Sequence, residues 1–396
     1  MAKKTLRDLT DLRGKRVLIR VDFNVPQNDD GSISNDRRIR GAVPTIQHVL
    51  DAGGVAIVMS HLGRPKGDPK KDAVFSMTPV GERLGELLGR PVRKLHESTG
   101  PAVAAAVAEA KPGDVVLLEN LRFDPREQKG DPEFAAAIAA LGDVYVNDAF
   151  GTCHRTDASM YAVPTAMAGK PRVVGFLVQK ELDVLGQLLS HPKRPLLGVM
   201  GGAKVSDKIG FIKKMLSLVD RVLIGGAMSY TFMLAEGRGI GGSKAEKDKV
   251  DLAKELLTLG AGKIVLPLDH LIAEKPDPAA PTRIVEGDIP DGWCGLDIGP
   301  KTIAHYADLI AGAGTVVWNG PLGKFEDEPF SKGTKAIAQA MSVCRGTTIV
   351  GGGETAEAVE AFGLDAKMTH VSTGGGAFLE YVEGTPFKAL SVIDDQ

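Results

Sequence analysis

The chain is 396 residues long, 43% hydrophobic and 25% charged, with only 5% aromatics and 48 glycines. That length exceeds one ordinary core and implies two or three domains, packed mainly with Val, Ile, Leu and Ala. A formal net charge of −2 excludes a polybasic nucleic-acid binder, and no apolar run approaches the ~20 residues of a membrane span. Cys153, Cys294 and Cys344 show neither a disulfide framework nor zinc spacing, and the N-terminal stretch MAKKTLRDLTDLRGKR lacks a signal peptide's apolar run. The expectation is a soluble cytoplasmic protein that partners neither nucleic acid nor membrane.

Short β-rich runs recur along the chain. The first half has Arg16–Val21, Val55–Met59, Val115–Leu118 and Val144–Val146. The second has Leu196–Met200, Arg221–Ile224, Lys263–Leu266, Thr315–Trp318 and Thr347–Val350. Helical patterns lie between them at Pro44–Ala52, Thr78–Leu88, Pro101–Ala110, Phe134–Leu141, Lys244–Leu259 and Glu354–Ala361. Apolar strands alternating with helices predict an α/β protein of two doubly wound, Rossmann-like parallel-sheet domains with a cleft between them. Phe176–Leu189 reads as a long helix joining the two, which puts the first domain at 1–172 and the second at 173–379.

Ligands of open parallel sheets bind beyond the carboxyl ends of the strands. In the first half those positions carry DFNVP from Asp22, SHLGRP from Ser60, ENLRF from Glu119 and NDAFGTCHR from Asn147. They bring Asp22, Asn24, His61, Arg64, Arg122, His154 and Arg155 to four successive strand ends, and 14 of the 20 arginines precede residue 171. Any one of these is an ordinary surface charge by default; recurrence at four ends makes a phosphate or carboxylate clamp the better reading.

The second half instead places glycines after its strands: GGAKVSDK from Gly201, GGA from Gly225, GGGET from Gly351 and TGGGA from Thr373. Glycine there lets backbone N–H groups approach phosphate oxygens at a helix start, although one GG pair alone often marks only a tight turn. Lys204 and Lys208 would share a helical face if the helix begins at that point. The two sets predict one domain for an acidic metabolite and one for a nucleotide. No general base placed as in hydroxyl-directed kinases is visible, which suits an acyl-phosphate reaction whose carboxylate acceptor is already ionised. A dinucleotide-dependent dehydrogenase would want a G-x-G-x-x-G fingerprint, which is not evident.

RVDFNVP at Arg20–Pro26 resembles the signature of the phosphoglycerate kinase family. MSHLGRP from Met59, the segments from Asn147 and Gly201, WNGPLGKFE from Trp318, and those from Gly351 and His370 resemble family segments in the family's order. The resemblance implies reversible phosphoryl transfer between 1,3-bisphosphoglycerate and ADP, giving 3-phosphoglycerate and ATP, with Mg²⁺, in a monomer that closes its domains. It implies an acid site of Asp22, Phe23, Asn24, Arg38, His61, Leu62, Gly63, Arg64, Arg122 and Arg155. The implied nucleotide site comprises Lys204, Lys208, Gly295, Asn319, Glu326, Gly352, Gly353, Glu354 and Thr355. Arg38, Lys204, Gly374 and Gly375 would act on the transferring group, and residues 380–396 would complete the first domain.

Two positions depart from the family pattern: Glu354 stands where Asp is usual near Mg²⁺, and Lys324 where a small apolar residue is usual. Glu354 would then meet the metal directly or through water. This departure keeps open a ligand-binding sensor that has lost turnover, alongside the dehydrogenase.

Overall fold

The computed structural model describes residues 2–396, which divide into two compact units. Residues up to Asp183, together with Pro386–Gln396, form unit 1; Val184–Thr385 form unit 2.

Unit 1 is built on six parallel strands: β1 (Arg16–Val21), β2 (Val55–Met59), β3 (Val92–Lys94), β4 (Val115–Leu117), β5 (Val144–Asp148) and β6 (Arg172–Val174). Their order across the sheet is β3-β4-β2-β1-β5-β6. β2, β4 and β5 are buried along their whole length; β2 and β4 read as unbroken apolar runs, while β5 ends in the buried polar pair Asn147 and Asp148. In the flanking helix Arg37–Asp51, Ile39, Ala42, Ile46, Val49 and Leu50 recur at helical spacing and join the core.

That helix starts well before the expected Pro44. The Asn35 side chain accepts from the Arg37 amide (2.9 Å) and opens it. Pro44 is accommodated inside, where its missing N–H forgoes one helical bond. The first turn is charged apart from Ile39, too weak an apolar signal to mark a helix, but it brings Arg38 to the sheet's carboxyl edge.

Unit 2 has a second parallel sheet. Its strands are β7 (Leu196–Met200), β8 (Arg221–Ile224), β9 (Ile264–Val265), β13 (Thr315–Asn319), β14 (Thr347–Gly351) and β15 (His370–Val371). They lie in the order β15-β14-β13-β7-β8-β9. A three-stranded antiparallel sheet, unforeseen from the sequence, is formed by β10 (Asp269–Ala273), β11 (Thr282–Glu286) and β12 (Cys294–Ile298). β11 is mostly exposed, and β10 begins with two buried polar residues, Asp269 and His270. The Asp269 carboxylate accepts from the amides of Lys301 (3.0 Å) and Thr302 (2.8 Å), tying that sheet to the next helix.

The expected helix Lys244–Leu259 forms only over Val250–Gly260. Tertiary bonds hold the preceding residues away from helical geometry: the Ser243 hydroxyl accepts from the Gly295 amide (2.9 Å), and Glu246 accepts from the amides of Val205 (2.6 Å) and Ser206 (3.0 Å).

The helix Phe176–Ser190 carries the chain from unit 1 into unit 2. Its start is capped by Asp148, which accepts from the amides of Leu177 (2.9 Å) and Val178 (3.3 Å). No helix among the described residues is long and apolar enough to cross a membrane.

The chain's last residues close the edge of the first sheet. Asp394 takes a forked bond from Arg172 (Nη2 2.7 Å, Nε 3.0 Å) and accepts from the Arg172 amide (3.0 Å). Its own carbonyl accepts from the Lys4 amide (2.8 Å). We expect Asp394→Ala to lower the stability of unit 1 by about 1–3 kcal/mol, the range for a charge-assisted pair with neutral bonds lost beside it. Thermal denaturation followed by circular dichroism checks this, and an unchanged melting curve would show the clasp to be dispensable.

Candidate active site

In unit 1 the loops after β1, β2, β4 and β5 leave the sheet on the same side, because parallel strands share one carboxyl edge. Asp22 is ion-paired with Arg38. Burial opposes ionisation of Asp22, but the charge of Arg38, with that of Arg20 beyond it, outweighs burial and holds the carboxyl below its usual range. Asn24 Oδ1 accepts from the Gly63 amide (2.8 Å), joining the first two loops. Arg122 Nη1 donates to the Gly63 carbonyl (2.9 Å), which brings in the third. Arg122 Nε and Nη2 and Arg155 Nε are buried without a hydrogen-bond partner among the described residues. Burial, and then the neighbouring Arg155 charge, lower Arg122 below its ordinary value.

These are donors arranged to meet an anion. Arg64 follows on the β2 loop as an exposed cation. Phe23 and Leu62 contribute differently from the polar residues, since both side chains lie in the core. His154 sits against the Phe387 ring, at a centroid distance of 6.4 Å.

Asn120 was not singled out from the sequence. It donates to the carbonyls of Leu62 (2.7 Å) and Phe75 (2.9 Å) and accepts from the amides of Leu62 and Arg122 (both 3.1 Å). An asparagine directly after a buried strand was the available signal.

Unit 2 carries a pocket of about 520 Å³. Its lining includes Gly202, Ala203, Tyr230, Lys244, Cys294, Gly295, Lys324, Glu326 and Glu354. β7 and β13, whose following loops form part of this wall, lie at the point where the strand order reverses. The Gly201 amide donates to the Asn319 carbonyl (3.0 Å) and the Gly202 amide to the Pro321 carbonyl (2.8 Å). A Cβ at Gly201 would lie 2.0 Å from the Pro321 carbonyl oxygen, so only glycine fits there. A Cβ at Gly295 would lie 2.1 Å from the Tyr230 hydroxyl, so this glycine keeps a flat wall.

Lys208 Nζ donates to the Gly201 carbonyl (2.9 Å). Burial lowers its pKa to about 8, against the opposing pull of Glu354 and Asp207. Lys204 is exposed on the loop, and the helix starts only at Ile209, so the expected shared helical face with Lys208 does not form.

Asn319 and Thr355 are buried supports of this wall. Asn319 Nδ2 donates to the Gly351 carbonyl (2.9 Å), and Thr355 Oγ1 accepts from the Gly320 amide (2.6 Å). Gly352 and Gly353 open the helix that ends at Ala361, and Gly374 and Gly375 immediately precede the helix Gly376–Glu383. Lys324 lines the pocket, but its ammonium is paired with Asp327. Tyr230, Lys244 and Cys294 were missed because they lie on segments whose pairing across the chain no local pattern reveals.

A family model described as phosphoglycerate kinase matches residues 6–385. The phosphoglycerate kinases of Rhodopirellula baltica and Moorella thermoacetica are each 51% identical to the chain, with 100% of both sequences covered. The phosphoglycerate kinase structure from Coxiella burnetii superimposes with a TM-score of 0.86 at 38% identity, over 98% of each chain. That from Pyrococcus horikoshii gives 0.86 at 29% identity, over 99% of this chain and 98% of its own. The chain belongs to the phosphoglycerate kinase family.

Proposed function

We propose that the chain catalyses reversible phosphoryl transfer between 1,3-bisphosphoglycerate and ADP, with unit 1 holding the acid and unit 2 the nucleotide. The observation that carries the assignment of the acid to unit 1 is the gathering of Arg38, Arg122, Arg155 and His61 at its strand ends, with buried guanidinium nitrogens left unpartnered. Forked donors of this kind suit both the carboxylate and the phosphate of 3-phosphoglycerate. In unit 2 the close-packed glycine backbone with Lys208 and Glu354 suits the nucleotide's phosphates, and the flat wall at Gly295 suits the base. Glu326 would take the ribose, while Lys204 and the amides of Gly374 and Gly375 would meet the transferring phosphoryl.

The acceptor carboxylate is already ionised, so the work left to the protein is alignment and charge stabilisation. Arg38, freed from Asp22 by the substrate's own negative charge, would stabilise charge that develops on the transferring group. Mg²⁺ is expected to arrive on the nucleotide phosphates and to neutralise part of their charge. Among the described residues no cluster of three His, Cys, Asp or Glu could cage a metal ion, whereas a single carboxylate at the phosphate end, Glu354, fits a largely hydrated Mg²⁺. The free cysteines fit a reducing cytoplasm, and a monomer is proposed from the family. Nothing in the matches supports a dehydrogenase or a sensor without turnover.

The direct test is a coupled assay of ATP- and Mg²⁺-dependent phosphorylation of 3-phosphoglycerate. Turnover that vanishes without either substrate or the metal supports the proposal; ligand binding without turnover refutes it.

Arg38→Ala should lower kcat by about 10²–10³-fold while changing the KM for 3-phosphoglycerate only a few-fold. Equal losses in binding and turnover would make Arg38 a ground-state ligand instead.

Lys208 generates a pH prediction. With its pKa near 8 in the free protein, phosphate contact must raise it, so nucleotide binding takes up a proton and weakens as pH rises through 8. ADP affinity should fall about tenfold from about pH 7 to about pH 9, and Lys208→Met should flatten that dependence. Calorimetry in buffers of different ionisation enthalpy reads the proton directly, and binding without proton uptake would remove Lys208 from the phosphates.

A further inference from the structure

Behind the acid-facing groups of unit 1 runs a chain of polar side chains that no ligand can touch. Arg20, Ser159 and Glu127 are each 0% exposed and come from three separate segments. The Glu127 carboxylate accepts twice from Ser159, from its amide (2.9 Å) and from its hydroxyl (2.5 Å). With its proton directed at Glu127, the Ser159 hydroxyl oxygen accepts from Arg20 Nε (2.8 Å). Arg20 Nη1 donates to the Val21 carbonyl, and Nη2 lies 3.1 Å from His61 Nδ1. Tyr145, also fully buried, donates to the Ser159 carbonyl (2.9 Å) and fixes that backbone.

The direction of every proton in this chain follows from its two ends. A carboxylate only accepts and a guanidinium only donates. Nδ1 of His61 must therefore be the accepting nitrogen, and the proton of the neutral ring resides on Nε2. That nitrogen makes no hydrogen bond to another described residue. Burial, helped by the charges of Arg20, Arg122 and Arg155 and opposed by Asp22, holds His61 well below its ordinary pKa and so keeps the ring neutral. Burial also raises Glu127, while Arg20 and the two Ser159 bonds favour its ionised form.

We infer that Glu127, acting through Ser159 and Arg20, is a positioning residue that locks His61 as a fixed Nε2–H donor toward the acid. This rests on the reading of unit 1 as the acid site. A mere structural tie would need only the shape of Glu127. The inference needs its acceptor-only chemistry, because a glutamine amide could donate to the Ser159 hydroxyl, turn its proton toward Arg20 and release the guanidinium from His61.

The test is ¹⁵N-edited NMR of the imidazoles in the full chain, with steady-state kinetics alongside. In the wild-type chain His61 should show the Nε2–H tautomer with no titration from about pH 5.5 to about pH 8.5. Glu127→Gln should give a mixed tautomer and raise the KM for 3-phosphoglycerate about tenfold, leaving that for ATP within about twofold of wild type. Ser159→Ala, which removes the bridging oxygen, should move both readouts the same way and serves if Glu127→Gln does not fold. An Nδ1–H tautomer or a titration near 6.5 in the wild-type chain would overturn the inference. So would unchanged tautomer and KM in both variants. A chain that does not turn over 3-phosphoglycerate would refute the proposed activity, while the wild-type tautomer would still decide the proton's place.

Discussion

Like charges crowded at one sheet edge are the constraint around which unit 1 is arranged. Arginines gathered at the ends of neighbouring strands repel one another, and Arg122 registers this through its burial and the nearby Arg155. Partial compensation comes from Asp22 against Arg38 and from Asp157, whose carboxylate lies 4.0 Å from Arg122 Nη2. The fully buried Glu127 compensates from behind. None of these acids neutralises the cluster completely. An anionic ligand would complete the balance, so affinity for an anion and tolerance of the crowded cations would be two aspects of one electrostatic arrangement.

The wall proposed to meet phosphate in unit 2 is built by different means. That unit offers helix starts at Gly353 and Gly376 beside main chains packed too closely for any side chain, as at Gly201. Cationic side chains are few, and the most buried of them, Lys208, has its pKa lowered by burial to about 8. A site built this way reads the shape of a polyphosphate more than its total charge. That difference suits a chain that must keep a small acid and a nucleotide in separate places.

The parallel sheets were legible in the sequence because burial on both faces makes the central strands largely apolar. β1, β2, β7 and β8 occupy the residues that their hydrophobicity marks out. The strand-end rule then picked out polar and charged residues of unit 1, since Asp22, His61, Arg122 and Arg155 lie on the loops that follow β1, β2, β4 and β5. Elements governed by distant partners were less readable. The antiparallel sheet begins with buried Asp269 and His270, whose justification is the helix start that Asp269 caps. The turn before Val250 is set by bonds to Gly295, Val205 and Ser206 rather than by its own residues. Arg20 shows the same limit within the site: its sequence neighbours marked it as part of a motif, but only the fold shows it facing inward.

Unit 1 is discontinuous, since Pro386–Gln396 returns to it after unit 2 is complete. On the ribosome, therefore, the first sheet emerges early yet waits for the whole of unit 2 to be synthesised before its edge clasp arrives. At typical elongation rates of about 5–20 residues per second, that interval is on the order of ten to forty seconds. Throughout it, the residues around Arg172 and Phe150 that the tail covers in the finished protein remain open to water and to chaperones.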